Sequence, residues 1–194
     1  MSEFDCGWIE DEVDKFVIIS IKPRFCEEVL FYKDKNLELR RTKPTGIAFP
    51  FKAFVYCTAD KGRITEVIHK GEEIWDGEVW DKDTPLFIKV PDAPAHVYGR
   101  TKKIIGEITI DKIVKVSRKD GITMVDGERE KPEDGYRTSI TVKEFEKYKG
   151  DKEFLYGWHI ANALMYDVPK ELQDFGLSRP PQSWQYYFGN KIML

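Results

Sequence analysis

From Phe16 the chain reads Phe16-Val17-Ile18-Ile19-Ser20-Ile21, a β-branched run of strand length with no charge on either face. Such a run predicts a strand covered on both sides. Pro23 follows at a position suited to a first helical turn, and Phe25, Cys26, Val29 and Leu30 recur at helical spacing up to Tyr32. Lys33-Asp34-Lys35-Asn36 ends that helix. Leu37-Glu38-Leu39-Arg40 then alternates, so a strand sets two leucines on one face and a carboxylate beside a guanidinium on the other. Ala53–Cys57 predicts another strand, and Lys103–Ile110 and Ile113–Ser117 predict two more. Asp120-Gly121 and Asp126-Gly127 mark turns. Thr141-Val142-Lys143-Glu144 has the form of a capping box opening a short helix through Phe145 and Tyr148, with a stop at Gly150. Phe154–Ile160 and Trp184–Phe188 predict aromatic-rich strands separated by a stretch punctuated with proline and glycine.

Many strands with a few short helices and no βαβ rhythm predict an α+β domain around a closed or nearly closed sheet. Residues 60–102 carry Trp75, Asp76-Gly77, Trp80 and the Pro91/Pro94 pair, the marks of a hairpin and irregular loop inserted into that core. Residues 1–15 form an acidic arm, leaving 16–194 as a single domain. A length of 194 residues suffices to bury a full core. The absence of any apolar run near the roughly 18–20 residues of a membrane span, and of a basic-then-apolar leader, predicts a cytoplasmic protein with no membrane partner. Cys6, Cys26 and Cys57 are odd in number and widely spaced, which predicts reduced, partly buried thiols. His69 and His96 lack partners at ligand spacing, so neither a metal nor another cofactor is expected.

Charge narrows the functional classes. At a formal net charge of −3 the whole molecule does not attract polyanions, so any contact with nucleic acid must come from a local patch. Arg40, Arg41 and Lys43, with Lys33 and Lys35 nearby, are the compact basic cluster, which Lys102 and Lys103 extend. Ser20-Ile21-Lys22-Pro23 followed by Lys35-x-x-Glu38-x-Arg40-Arg41 lets a lysine, two arginines and a carboxylate converge beside a helix start. That grouping can hold a phosphate and hydrogen-bond a base edge. Its alternative is a surface ion pair between Glu38 and Arg40, worth about 0–1 kcal/mol.

These segments also carry a family likeness. Ser20-Ile21-Lys22-Pro23, the turn to Lys35, Glu38-Leu39-Arg40-Arg41, Phe54-Val55-Tyr56-Cys57-Thr58 and Ile105-Gly106-Glu107-Ile108 resemble the successive signatures of ASCH domains, a branch of the PUA-like superfamily. The tail Tyr156-Gly157-Trp158-His159-Ile160, then Pro169-Lys170-x-Leu172-x-x-Phe175, then Arg179-Pro180-Pro181-Gln182-Ser183-Trp184, is similar to that of longer ASCH proteins of phages and Gram-positive bacteria. The likeness runs from about residue 16 over nearly the whole chain. It implies a small PUA-like β-barrel with flanking helices and a cleft for RNA or a nucleotide, with Lys22, Lys35, Glu38 and Arg40 in or near it.

The resemblance also raises catalysis. Some short ASCH proteins deacylate N4-acetylcytidine with a lysine and a threonine on this segment. Lys35 matches the lysine, but Glu38 stands at the threonine's place, where a carboxylate serves as a general base rather than a hydroxyl nucleophile. Lys35 and Glu38 are therefore the catalytic candidates if the chain is a hydrolase. A ribonuclease, the other activity assigned within the family, needs an acid/base pair or metal-binding carboxylates; Glu38, Glu107 and His159 are its candidates. Trp158, Trp184, Tyr186 and Tyr187 are either a base-stacking face or core, and Gln182 and Ser183 are polar groups for the cleft. The expected nucleic-acid-binding set is thus Lys22, Lys35, Glu38, Arg40, Arg41, Trp158, Gln182 and Ser183. A protein partner engaging the acidic arm and the insertion is the remaining reading.

Overall fold

The computed structural model describes residues 14–59, 93–120, 122–131, 133 and 135–189, together with the backbone of four short strands between 63 and 90. Residues 1–13 of the acidic arm and most of the insertion lie outside these residues.

Strand β1 (Asp14–Ile21) leads into helix α1 (Pro23–Cys26), which continues as a π-helical turn over Glu27–Tyr32. Lys33, in the left-handed region at φ 57°, closes that turn by donating its N–H to the Glu28 carbonyl. Strands β2 (Leu37–Arg40) and β3 (Phe51–Cys57) follow. In the insertion, β4 (Arg63–Val67) pairs with β7 (Leu86–Val90), and β5 (Ile74–Trp75) pairs with β6 (Glu78–Val79). A 3-10 turn at Ala95–Val97 leads to β8 (Ile104–Lys119), β9 (Ile122–Val125) and β10 (Glu128–Arg129). Helix α2 (Val142–Lys149), β11 (Leu155–Lys170), a 3-10 turn (Leu172–Phe175) and β12 (Trp184–Gly189) complete the chain.

The main sheet has eight strands, with β8 as its spine. One edge of β8 pairs with β11 along its length; the other pairs with β3 near its start and with β9 near its end. Beyond β3 the sheet continues through the parallel neighbour β1 to antiparallel β12, and β2 extends it beyond β11. Among the described strands the path is open, from β12 to β2. Side chains span the gap: Arg40 Nη2 donates to the Ser20 carbonyl at 2.7 Å, and Trp184 Nε1 donates to Thr42 Oγ1 at 3.0 Å. The result is barrel-like rather than a closed ladder.

Burial explains β1. Val17, Ile19 and Ile21 face the interior with Ala53, Val55, Ile108, Ile110 and Trp158, while Ile18 packs on the opposite face with Phe54, Tyr56, Leu172 and Phe175. A third cluster places Leu37 and Leu39 against Val114, Val116, Leu155 and Phe145 of α2. The two strands expected over 103–117 are one. Asp111 has no partner in the β8–β11 register, which shifts between His159 and Ile160, so the ladder absorbs the polar residues Asp111 and Lys112 without ending. Likewise β11 runs on to Lys170, well past Ile160, because β8 offers a pairing edge there that local composition does not reveal.

Candidate functional site

Beside the open edge of the sheet lies a cavity of about 580 Å³, lined by the end of β1, the start of α1, β2, Thr58 after β3, α2 and Gln182. Each wall has a local cause. Lys22 is extended (φ −68°, ψ 148°) and Pro23 opens the helix, which turns the chain sharply out of β1. The Ser20 hydroxyl donates to the Pro181 carbonyl at 2.6 Å and the Ser20 N–H to the Ser183 carbonyl at 2.9 Å, which pins Gln182 at the rim. The Thr58 N–H donates to the Ile21 carbonyl at 2.9 Å. Thr141 caps α2 with a complete capping box to Glu144, presenting Glu144, Lys147 and Tyr148 along one helix face.

The floor is a buried ion triad. Alternation in β2 turns Leu37 and Leu39 to the α2 cluster and Glu38 and Arg40 to the cavity. Arg40 Nη2 meets Glu38 Oε1 at 2.9 Å, and Lys35 Nζ lies 3.3 Å from Glu38 Oε2. Side-chain exposures of 2% for Lys35 and 8% for each partner replace the surface-pair alternative with a buried one. Lys35 Nζ donates hydrogen bonds to the Leu37 carbonyl at 2.9 Å and the Thr138 carbonyl at 2.7 Å, and its contact with Glu38 is an ion pair without a hydrogen bond. Glu38 Oε2 and Arg40 Nε are buried and make no hydrogen bond within the described protein.

The rim is different in kind. Arg24 and Glu144 form an ion pair between α1 and α2, and the Arg24 guanidinium lies 4.3 Å from the centre of the Phe25 ring. The Thr141 backbone N–H, and then Arg24, hold the Glu144 carboxyl down at about 2. The helix start itself does little for an anion: Pro23 has no N–H, and the N–H groups of Phe25 and Cys26 both donate to the Lys22 carbonyl at 3.0 Å.

Solved structures share this arrangement of strands. The chain is similar to the ASCH protein of Zymomonas mobilis, at 16% identity and a TM-score of 0.51 over 90% of this chain and 87% of that one. A point variant of the same protein matches at 15% identity and a TM-score of 0.51 over 92% of each chain. The chain has the ASCH fold. No protein-family model and no curated protein sequence matches it.

Within the ASCH fold, Lys22, Lys35, Glu38, Arg40 and Gln182 line this same cavity. The remaining expected residues stand elsewhere. Trp158 is wholly buried in the interior, with Phe51 at 5.9 Å and Trp184 at 5.6 Å between ring centres, so it is core and offers no stacking face. Arg41 points outward to Asp151 at 2.9 Å, and Ser183 contributes its carbonyl to β1 rather than a side chain to the lining. The basic cluster read from the sequence thus divides, with Arg41 turned away and Lys43 over the Tyr156 ring at 5.6 Å.

The ribonuclease set does not assemble. Glu107 pairs with Lys52 at 2.7 Å and accepts from the Tyr166 hydroxyl at 2.7 Å, whereas His159 Nδ1 lies 2.6 Å from Asp111. Neither lines the cavity with Glu38. Arg24, Phe25, Thr58, Glu144, Lys147 and Tyr148 do line it, and sequence reasoning missed them. The spacing of Glu144, Lys147 and Tyr148 is the signal that was there to find. On α2, Phe145 is buried against Leu37 and Leu39, whereas Tyr148 is exposed.

Proposed function

We propose that the chain is an RNA- or nucleotide-binding ASCH module whose ligand enters the cavity floored by Lys35, Glu38 and Arg40. The observation that carries this reading is the charge of the lining. Lys22, Arg24, Lys35, Arg40 and Lys147 stand against Glu38 and Glu144 alone, in a chain whose net charge is −3. A volume of about 580 Å³ lies within the range of small-molecule sites and suits one nucleotide. Phe25 and Tyr148 supply apolar and aromatic surface for a base, and Gln182 and Thr58 supply neutral hydrogen-bonding groups.

Binding of a labelled single-stranded oligoribonucleotide, followed by anisotropy across salt concentrations, tests this. Lys147 is exposed, so Lys147→Glu spares the core while reversing one charge at the cavity. The expected result is weaker binding with a shallower salt dependence, and no change in Arg41→Ala, whose side chain faces away. Equal binding by the parent and Lys147→Glu would sink the proposal.

Hydrolysis of a modified nucleoside in the same cavity is the second reading, favoured by the contact between Lys35 and Glu38. Turnover of N4-acetylcytidine to cytidine and acetate, lost in Glu38→Gln, is its test. The two backbone carbonyls that Lys35 Nζ already serves support the binding reading over this one.

A further inference from the structure

The cavity's charges belong to two sets with different freedom. Lys35 and Arg40 are buried and committed to Glu38 and to the carbonyls of Ser20, Leu37 and Thr138. Lys22, Arg24 and Lys147 are exposed at the rim, and among the described residues neither Lys22 nor Lys147 has an ion-pair partner. Arg24 has one, Glu144, which reaches it from the opposite wall. One carboxylate therefore faces three exposed cations, and it sits on the one of them whose side chain also lies over a ring of the lining, Phe25.

We propose that Lys22, Arg24 and Lys147 form a phosphate subsite at the mouth of the cavity, and that Glu144 occupies Arg24 in the phosphate's place until a ligand displaces it. A guanidinium binds a carboxylate and a phosphate through the same planar fork, so the exchange conserves its hydrogen bonds. The released Glu144 keeps its other partner, because its second oxygen accepts the Thr141 N–H at 2.9 Å within the capping box. Displacement leaves α2 capped. The exchange selects for ligands that carry an anion at the mouth, since a neutral nucleoside gives Arg24 no reason to leave Glu144. This inference rests on the nucleotide reading for the rest of the ligand, but the subsite itself requires only phosphate.

Glu144→Gln is a clean perturbation, because glutamine serves at this capping-box position and carries no charge. Affinities of the full chain and its variants are measured calorimetrically for inorganic phosphate, a ribonucleoside 5′-monophosphate and the matching nucleoside. The expected result is about fivefold to tenfold tighter binding of phosphate and monophosphate by Glu144→Gln, with nucleoside affinity unchanged, and loss of the gain in Arg24→Gln/Glu144→Gln. Unchanged phosphate affinity in Glu144→Gln, or an equal gain for the nucleoside, overturns the subsite. If phosphate behaves as expected while nucleoside and RNA bind no variant, the nucleotide reading fails and the subsite stands. If monophosphate and RNA bind but Glu144→Gln changes nothing, the subsite alone fails. If no probe binds any variant, both are wrong.

Discussion

Removing the Glu38 carboxylate is the most informative single change in the fold. Lys35, Glu38 and Arg40 are almost fully buried, and among the described residues Glu38 is the only carboxylate within ion-pair distance of either cation. In Glu38→Ala, Lys35 retains two carbonyl partners and Arg40 retains the Ser20 carbonyl, but two positive charges then share a buried site with no counter-charge. Breaking a buried pair in this way costs about 3–5 kcal/mol, a large part of a typical total stability of about 5–15 kcal/mol. For a chain of this size each kcal/mol moves the melting temperature by about 2–4 °C, which gives an expected drop of roughly 6–20 °C. Urea titration followed by circular dichroism, with calorimetry for the melting temperature, measures both. Replacing all three residues by methionine or leucine is expected to recover most of the loss, since well-packed apolar groups substitute for a buried ion network at little net cost. A Glu38→Ala protein within about 1 kcal/mol of the parent, or a triple variant as unstable as the single one, would refute the reasoning.

Three further outcomes follow from the geometry. A Cβ at Gly106 would lie 2.4 Å from the Leu164 carbonyl oxygen and 3.0 Å from Leu30, so Gly106→Ala is expected to lose about 1–3 kcal/mol or more in urea titration; a neutral effect would mean that β8 and β11 separate easily. Glu144, held at about 2 against an unperturbed 4.5, stabilises the fold fully above pH 4.5 and loses that contribution as pH falls towards 2. The stability advantage of the parent over Glu144→Gln should therefore be constant from pH 5 to 8 and shrink by pH 3, whereas a gap that grows in acid would contradict the sign. Burial, and then the neighbouring Cys57, push the Cys26 thiol well above its ordinary value, so iodoacetamide should leave Cys26 unmodified in the native protein at neutral pH; peptide mapping that finds it rapidly alkylated would oppose this.

The parts of the fold legible in the sequence were those set by local pattern. The continuous apolar run of β1, the alternation in β2 and the capping box of α2 each follow from neighbours a few residues apart, and each element stands where that pattern puts it. The extent of β11 and the continuity of β8 depend on each other's edges, which no local window contains. The same division governs the site. Glu38 and Arg40 share a face because they are two residues apart, whereas Arg24 and Glu144 meet across 120 residues of chain. Trp158 was ambiguous for a related reason: an aromatic in a strand is core or platform according to which face the rest of the sheet covers, and here Phe51 and Trp184 cover it.

The bonds from Ser20 to Pro181 and Ser183 have a consequence for how the protein comes into being. They join the first strand to the last loop across about 160 residues, and they hold the Gln182 rim of the cavity in place. Contacts of such long sequence separation form late, because the loop they close must be ordered before they repay it. During synthesis the ribosome exposes β1, α1 and β2 long before residue 181 emerges, so the growing chain carries the cations of the floor without the wall that encloses them. Capture of the proposed ligand would therefore require the last loop, and a ribosome-bound nascent chain ending before residue 181 is expected not to bind an oligoribonucleotide if the released protein does.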